Sequence, residues 1–143
     1  MKINVISVGS LKNDLQKIYD SYAKKISFFA KINLIEIKES NEKNIQQKIT
    51  FETTKILEKI PHNSRVILCS LQGKQISSDE FANFTEIDNI TFVIGGSNGV
   101  DEKLFKEKIN FSKMTFPHQL FRIMLIEQIY RGFTIKKNIK YHK

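Results

Sequence analysis

The chain has 143 residues, 41% hydrophobic and 27% charged, and carries a formal net charge of +8 at pH 7. That is one domain's length with a sizeable core, and the composition is that of an ordinary globular protein. No apolar run approaches the roughly 18 residues of a membrane span, the single cysteine, Cys69, cannot close an internal disulfide, and no Cys/His cluster has zinc spacing.

The first ten residues, MKINVISVGS, read as a strand ending at Gly9 rather than as a secretory signal, so the expected compartment is the cytoplasm. From Leu11 to Phe29, the residues Leu11, Leu15, Ile18, Tyr22 and Ile26 recur at helical intervals. Ile32 to Lys38 is a second strand. A helix capped at Asn41 runs to Ile60, with Ile45, Ile49, Ile56 and Leu57 on its apolar side, and Pro61 stops it. Arg65 to Leu71 is a third strand, followed by a short helix from Ser77 or Ser78. Ile90 to Gly96 is the fourth strand, and Asp101 to Lys108 a short helix. Asn110 to Phe116 reads as a fifth strand or strand-like loop, and Pro117 sits where a first-turn proline opens a last helix. The alternation predicts a single α/β domain over residues 1–143, with a mostly parallel sheet and helices on both faces.

The charge is unevenly placed. Residues 1–102 are balanced, with 13 Lys/Arg against 13 Asp/Glu, and residues 103–143 hold 10 basic side chains against two acids. Such asymmetry suits a polyanion, either nucleic acid or an anionic membrane surface, or merely a solvated basic face. In the tail, Lys136, Lys137, Lys140 and Lys143 flank Tyr141 and His142. Lysines meet phosphates and the aromatic ring stacks on a base, and no amphipathic basic helix accompanies them, so RNA fits better than a membrane.

Two further features carry chemistry. Gly95, Gly96 and Gly99 crowd three glycines into five positions after the fourth strand. The loop matches neither the dinucleotide fingerprint nor the Walker A pattern, so a turn and a ligand site are equally open readings. The last helix is apolar all round, which predicts core packing on one side and a subunit interface on the other. Glu127 and Arg131, four apart, form a helical ion pair. Arg122 lies in the apolar arc of Ile126, Ile129 and Phe133, so it either snorkels out or has a specific partner.

The stretches FVIGGSNG, FSKMTFPHQLFRIMLIEQIYR and the terminal YHK resemble the ribosomal RNA large subunit methyltransferase H family, and the resemblance runs from the first residue to the last. These are SPOUT-class enzymes that methylate N3 of a pseudouridine in 23S ribosomal RNA of assembled ribosomes. The resemblance implies a C-terminal deep trefoil knot, with S-adenosylmethionine bent against the knot loops. It implies cofactor contacts at Cys69, Gly95, Gly96, Phe111, Ser112, Lys113, Met114, Thr115 and Phe116, and no metal. His118 and His142 become candidate bases, Arg122 a candidate cation beside developing charge, Tyr141 a stacking ring, and the four tail lysines RNA contacts. It also implies a homodimer in which one chain's tail completes the other's site, with no membrane role. Two other readings compete with it. One is a non-catalytic RNA-binding protein of ribosome assembly; the other is an enzyme of small nucleotides.

Overall fold

Strands that are apolar on both faces must be covered on both, and the chain achieves this with alternating helices. In the computed structural model, which describes residues 1–143, the elements run β1 (Lys2–Val8), α1 (Asn13–Ile26), β2 (Lys31–Ile37), α2 (Ile45–Lys59), β3 (Arg65–Gln75), α3 (Ser78–Ala82), β4 (Asn89–Ile94), β5 (Lys108–Asn110) and α4 (His118–Lys136). All five strands are parallel, in the order β2-β1-β4-β3-β5. Ile3, Val5, Phe92 and Ile94 point to one face, where they pack with residues of α1, α3 and α4. Ile6, Val8, Leu68 and Val93 point to the other, against Ile56 of α2 and Val100 and Phe105 of the β4–β5 connection. The sheet thus has a core on each side.

Several expected boundaries move. The buried face of α1 is centred on Tyr19 and Ile26, while Ile18 is 44% exposed. Ile18 lies about 100° round the helix from Tyr19, at the edge of the apolar stripe. The cap of α2 is Asn44, whose side chain accepts from the Gln47 amide at 3.0 Å. Asn41 cannot start the helix because the next residues are held as turns. Ser40 Oγ accepts from the Glu42 amide, and Glu42 Oε1 accepts from the Asn44 amide. Glu52 and Thr53 are buried beside Ile56, while Ile45 is 59% exposed and Leu57 only partly covered. The expected helix after Asp101 shrinks to one 3₁₀ turn, and Pro117 is the cap of α4 rather than its first helical residue.

β3 runs past its expected end and bulges between Cys69 and Lys74, so that both residues face Ile109 of β5. A Cβ on Gly73 would lie 2.6 Å from the Ile109 backbone, so only glycine permits this approach.

The cap assignment is testable. Asn44→Ala is expected to cost about 1 kcal/mol, whereas Asn41→Ala should stay within about 0.5 kcal/mol. Urea denaturation of both variants compares them, and equal losses would mean the helix starts elsewhere.

Candidate active site

Because every strand is parallel, all five carboxyl ends open on one edge, and loops gather there. After β5 the chain turns back over that edge toward α4. Side chains shape the turn: Asn110 Oδ1 accepts from the Ser112 amide, and Ser112 Oγ accepts from the Met114 amide, each at 3.1 Å. Between this segment and the strand ends lies a cavity of about 490 Å³. Its walls are apolar at Leu68, Ile94, Phe111, Phe116 and Phe121, with polar groups at Ser70, Glu102 and Thr115. Glu102 accepts from Ser70 Oγ at 2.8 Å and pairs with Lys108.

Of the residues expected around a cofactor, Cys69, Gly95, Gly96, Phe111, Ser112, Met114, Thr115 and Phe116 line this cavity, and Lys113 lies exposed outside its lining. Burial pushes the Cys69 thiol up to about 12, so it remains protonated at neutral pH and is no nucleophile. The glycines serve their own loop as well as the cavity. A Cβ on Gly95 would stand 2.8 Å from Val100 Cγ1, one on Gly96 would stand 2.7 Å from Glu52 Oε1, and Gly99 has a φ of +79°. The loop is a tight turn and a cavity wall together.

His118, the first residue of α4, brings its Nε2 against the Gly95 carbonyl. A carbonyl oxygen only accepts, so Nε2 carries the proton, and in the neutral ring Nδ1 holds the free lone pair. His118, Gly96 and Ser97 also line a second cavity, of about 730 Å³, over the ends of β1 and β2. Its other walls include Gly9, Ser10, Glu36, Lys38 and Gln119. Gln119 Oε1 accepts from the Lys12 amide at 2.8 Å, which ties the start of α4 to the loop after β1.

Arg122 has a specific partner rather than snorkelling out. It is completely buried and lines neither cavity. One Nη pairs with Glu36 and the other donates to the Gly9 carbonyl at 3.0 Å, while its Nε has no partner. Its immediate work is to hold Glu36 and the β1 loop.

The tail is ordered. Asn138, at φ +55°, ends α4 in a Schellman motif, with the Ile139 amide donating to the Thr134 carbonyl and the Asn138 amide to Ile135. The chain then doubles back. Tyr141 packs edge-on against Tyr130, lies under the Arg131 guanidinium and donates to Glu127 at 2.7 Å. Arg131 forks onto Glu127 as the spacing predicted, and it also donates to His142 Nδ1 at 3.1 Å. Glu127 lies nine residues, or about 13 Å of helix, beyond His118. Docked this way, Tyr141 and His142 stand away from the cavities of their own chain. Lys136 pairs with Glu86, Lys137 sits over the Phe29 ring, and Lys140 and Lys143 are exposed.

A family model described as "Predicted SPOUT methyltransferase" matches residues 1–142. The chain belongs to the SPOUT methyltransferase family. It is 66% identical to the ribosomal RNA large subunit methyltransferase H of Mycoplasma mobile and 62% identical to that of Metamycoplasma arthritidis, each over the full length of both chains. Its fold resembles a solved structure from Bacillus anthracis described as a candidate RNA methyltransferase, with a TM-score of 0.56 at 11% identity, covering 91% of this chain and 93% of that one.

Within this SPOUT chain, sequence reasoning missed Glu36, Glu52 and Gln119. Glu36 sits at an ordinary solvent-facing position of a strand pattern, and only the buried Arg122 reveals its importance. The pair gives an asymmetric expectation. Glu36→Ala strands a fully buried guanidinium and should cost about 3 kcal/mol or more. Arg122→Met leaves only a carboxylate that is already 37% exposed, and should cost clearly less. Chemical denaturation of the two variants checks the order, and a reversed ranking would show that Arg122 packs chiefly through its aliphatic stem.

Proposed function

We propose that the protein is a cytoplasmic S-adenosylmethionine-dependent methyltransferase that modifies N3 of a pseudouridine in 23S ribosomal RNA within the assembled ribosome. The observation that carries this reading is His118, its Nε2 against the Gly95 carbonyl, standing in the wall shared by two cavities of different chemistry. The family supplies the reaction class, and the relatives' names supply the ribosomal RNA.

The residues present fit the cofactor. The first cavity has the volume and apolar walls an adenosyl group needs, with Glu102 and backbone groups for its polar edges. When bound, S-adenosylmethionine supplies an electrophilic methyl group on a sulfonium. A ring N–H is a poor nucleophile until its proton leaves, and His118 Nδ1 is the group positioned to take that proton. The Gly95 carbonyl fixes the tautomer that makes this possible. The tail lysines supply phosphate contacts. Tyr141 and His142 act on the site of a second copy, since the docked tail lies away from the cavities of its own chain. The trefoil knot is supported by the path of the chain, which docks β5 outside β3 and then returns across the carboxyl edge of the sheet. A non-catalytic RNA-binding protein has no use for a proton acceptor between two cavities.

The homodimer rests on a narrower surface than the helix pattern suggested. Leu125, Ile126, Ile129 and Phe133 are buried inside the chain, so the all-round apolar character of α4 mostly reflects packing on α1, α3 and the sheet. On α4 Leu120 stays open at 43% exposure, and near it in sequence Met114, with Leu71, is exposed at the rim of the first cavity. Leu120→Asp should therefore yield a folded monomer, read by light scattering and circular dichroism. A native protein that is monomeric at micromolar concentration would remove the shared site.

The activity is tested with ribosomes from a strain lacking the enzyme, labelled S-adenosylmethionine and mass-spectrometric mapping of the modified base. His118→Gln should lower turnover at least about a hundredfold while calorimetry finds cofactor affinity nearly unchanged. No methylation by the native protein would overturn the proposed function. Native turnover by His118→Gln would remove His118 from the chemistry.

A further inference from the structure

We propose that the second cavity receives the acceptor base, and that Glu36 reads a ring N–H which only a carbon-linked uracil ring retains beside the nitrogen being methylated. This rests on the methyltransferase reading above and specifies where and how that enzyme holds its substrate.

The two cavities share Gly96, Ser97 and His118, so groups bound in them lie side by side and can meet at the edge of one wall. Their linings differ in kind. The first is dominated by aromatic and aliphatic side chains; the second presents Ser10, Glu36, Lys38, Ser97 and Gln119. A polar heterocycle with two carbonyls and ring N–H groups needs donors and acceptors on several sides, and a nearby ammonium for its phosphate. The second cavity offers both.

Within it, Glu36 is the best-held acceptor. Its Oε2 is engaged by the buried Arg122, its side chain is 37% exposed, and its Oε1 has no partner within the protein. Glu39, the neighbouring acid, is occupied by Lys48 and Ser97. Arg122 also bonds the Gly9 carbonyl, so the carboxylate and the loop carrying Ser10 are oriented by one guanidinium. When a uracil ring is joined to ribose through nitrogen, its only N–H is at N3, and methylation removes that proton. When it is joined through carbon, N1–H remains as a second donor. A fixed carboxylate opposite N1–H rewards the carbon-linked ring and leaves a desolvated acceptor unpaired against the other.

The experiment compares native protein with Ser10→Trp, Lys38→Ala and Glu36→Gln. Substrates are ribosomes carrying pseudouridine at the target and ribosomes carrying uridine there. Ser10 is exposed at the cavity mouth, so a tryptophan there blocks entry without disturbing the core. Ser10→Trp should lower kcat/KM for ribosomes at least a hundredfold with cofactor affinity within twofold of native. Lys38→Ala should raise KM and leave kcat unchanged. Glu36→Gln should reduce the native preference for pseudouridine over uridine at least tenfold. If loss of charge beside Arg122 prevents folding, Glu36→Asp, which keeps the charge but withdraws it by one methylene, carries the same measurement. Native kcat/KM in Ser10→Trp would overturn the pocket assignment. Equal native rates on the two kinds of ribosome, or a preference unchanged in the Glu36 variants, would overturn the role of Glu36. A native enzyme that methylates neither would instead sink the methyltransferase reading itself.

Discussion

The site exists because the chain, having finished β5 at one edge of the sheet, comes back over the carboxyl ends of its neighbours to start α4 above the end of β4. From β5 to β4 there are two strand spacings, about 10 Å. The seven residues Phe111 to Pro117 could reach about 25 Å, so the segment has length to spare, and the turns made by Asn110 and Ser112 take it up. What fastens it on the far side is Arg122, one turn into α4, paired with Glu36 of β2 and bonded to the carbonyl that ends β1. Burying such a pair stabilises little on balance, because both charges lose water. Its value lies in register. A guanidinium fork with two fixed acceptors permits one rotation of α4, and that rotation puts His118 over Gly95 and Gln119 over the β1 loop.

The far end of α4 is organised by different physics. Burial alone would raise the Glu127 carboxyl, but hydrogen bonds from Arg131 and Tyr141 outweigh it and hold the group below the ordinary carboxylate range. Burial, with the hydrogen bond to that carboxylate, raises the Tyr141 phenol. Tyr141 therefore stays a donor and Glu127 an acceptor across the neutral range. A tail held by one charge-assisted hydrogen bond, one cation–aromatic contact and one edge-on ring contact is docked rather than locked, since these contribute on the order of 1 kcal/mol each. His142 is constrained with it. Arg131 can only donate, so the docked ring offers Nδ1 as acceptor and has that lone pair engaged.

How much of this was legible follows from where each signal resides. The alternation of β and α patterns depends on local periodicity, so the first four strands, the fourth-strand glycine loop and the last helix could be read directly. The fifth strand, expected at Asn110 to Phe116, is instead Lys108–Asn110, and the residues after it form the loop. The helix start at Asn44 could not, because turns made by Ser40 and Glu42 decided it, and their strength depends on geometry rather than residue type. The apolar circumference of α4 pointed to a partner chain, yet three elements of the same chain cover most of it. The tail showed only its composition, basic with one aromatic ring, and its docking on Glu127 through Tyr141 is a contact between positions 14 apart that no local pattern marks. Arg122 was conspicuous as a cation on an apolar face. Its partner, 86 positions earlier, was invisible until the strands had been arranged.

The glycine loop shows why the two cavities can cooperate. It is pinned from three directions: His118 bonds the Gly95 carbonyl, Ser97 reaches Glu39, and Glu52 packs beneath Gly96. Glu52 is fully buried, with one oxygen accepting from the Ser40 amide and the other unpaired against the loop. A wall so held needs no side chains of its own, and at Gly95 and Gly96 it has none. The wall the cavities share is thus Gly96, Ser97 and the His118 imidazole. Methyl transfer in line requires reacting atoms about 3 to 3.5 Å apart, so donor and acceptor must meet past the edge of this wall, with no protein atom between them. The absence of a Cβ at Gly95 lets the loop turn against Val100, and its absence at Gly96 lets the loop close over Glu52.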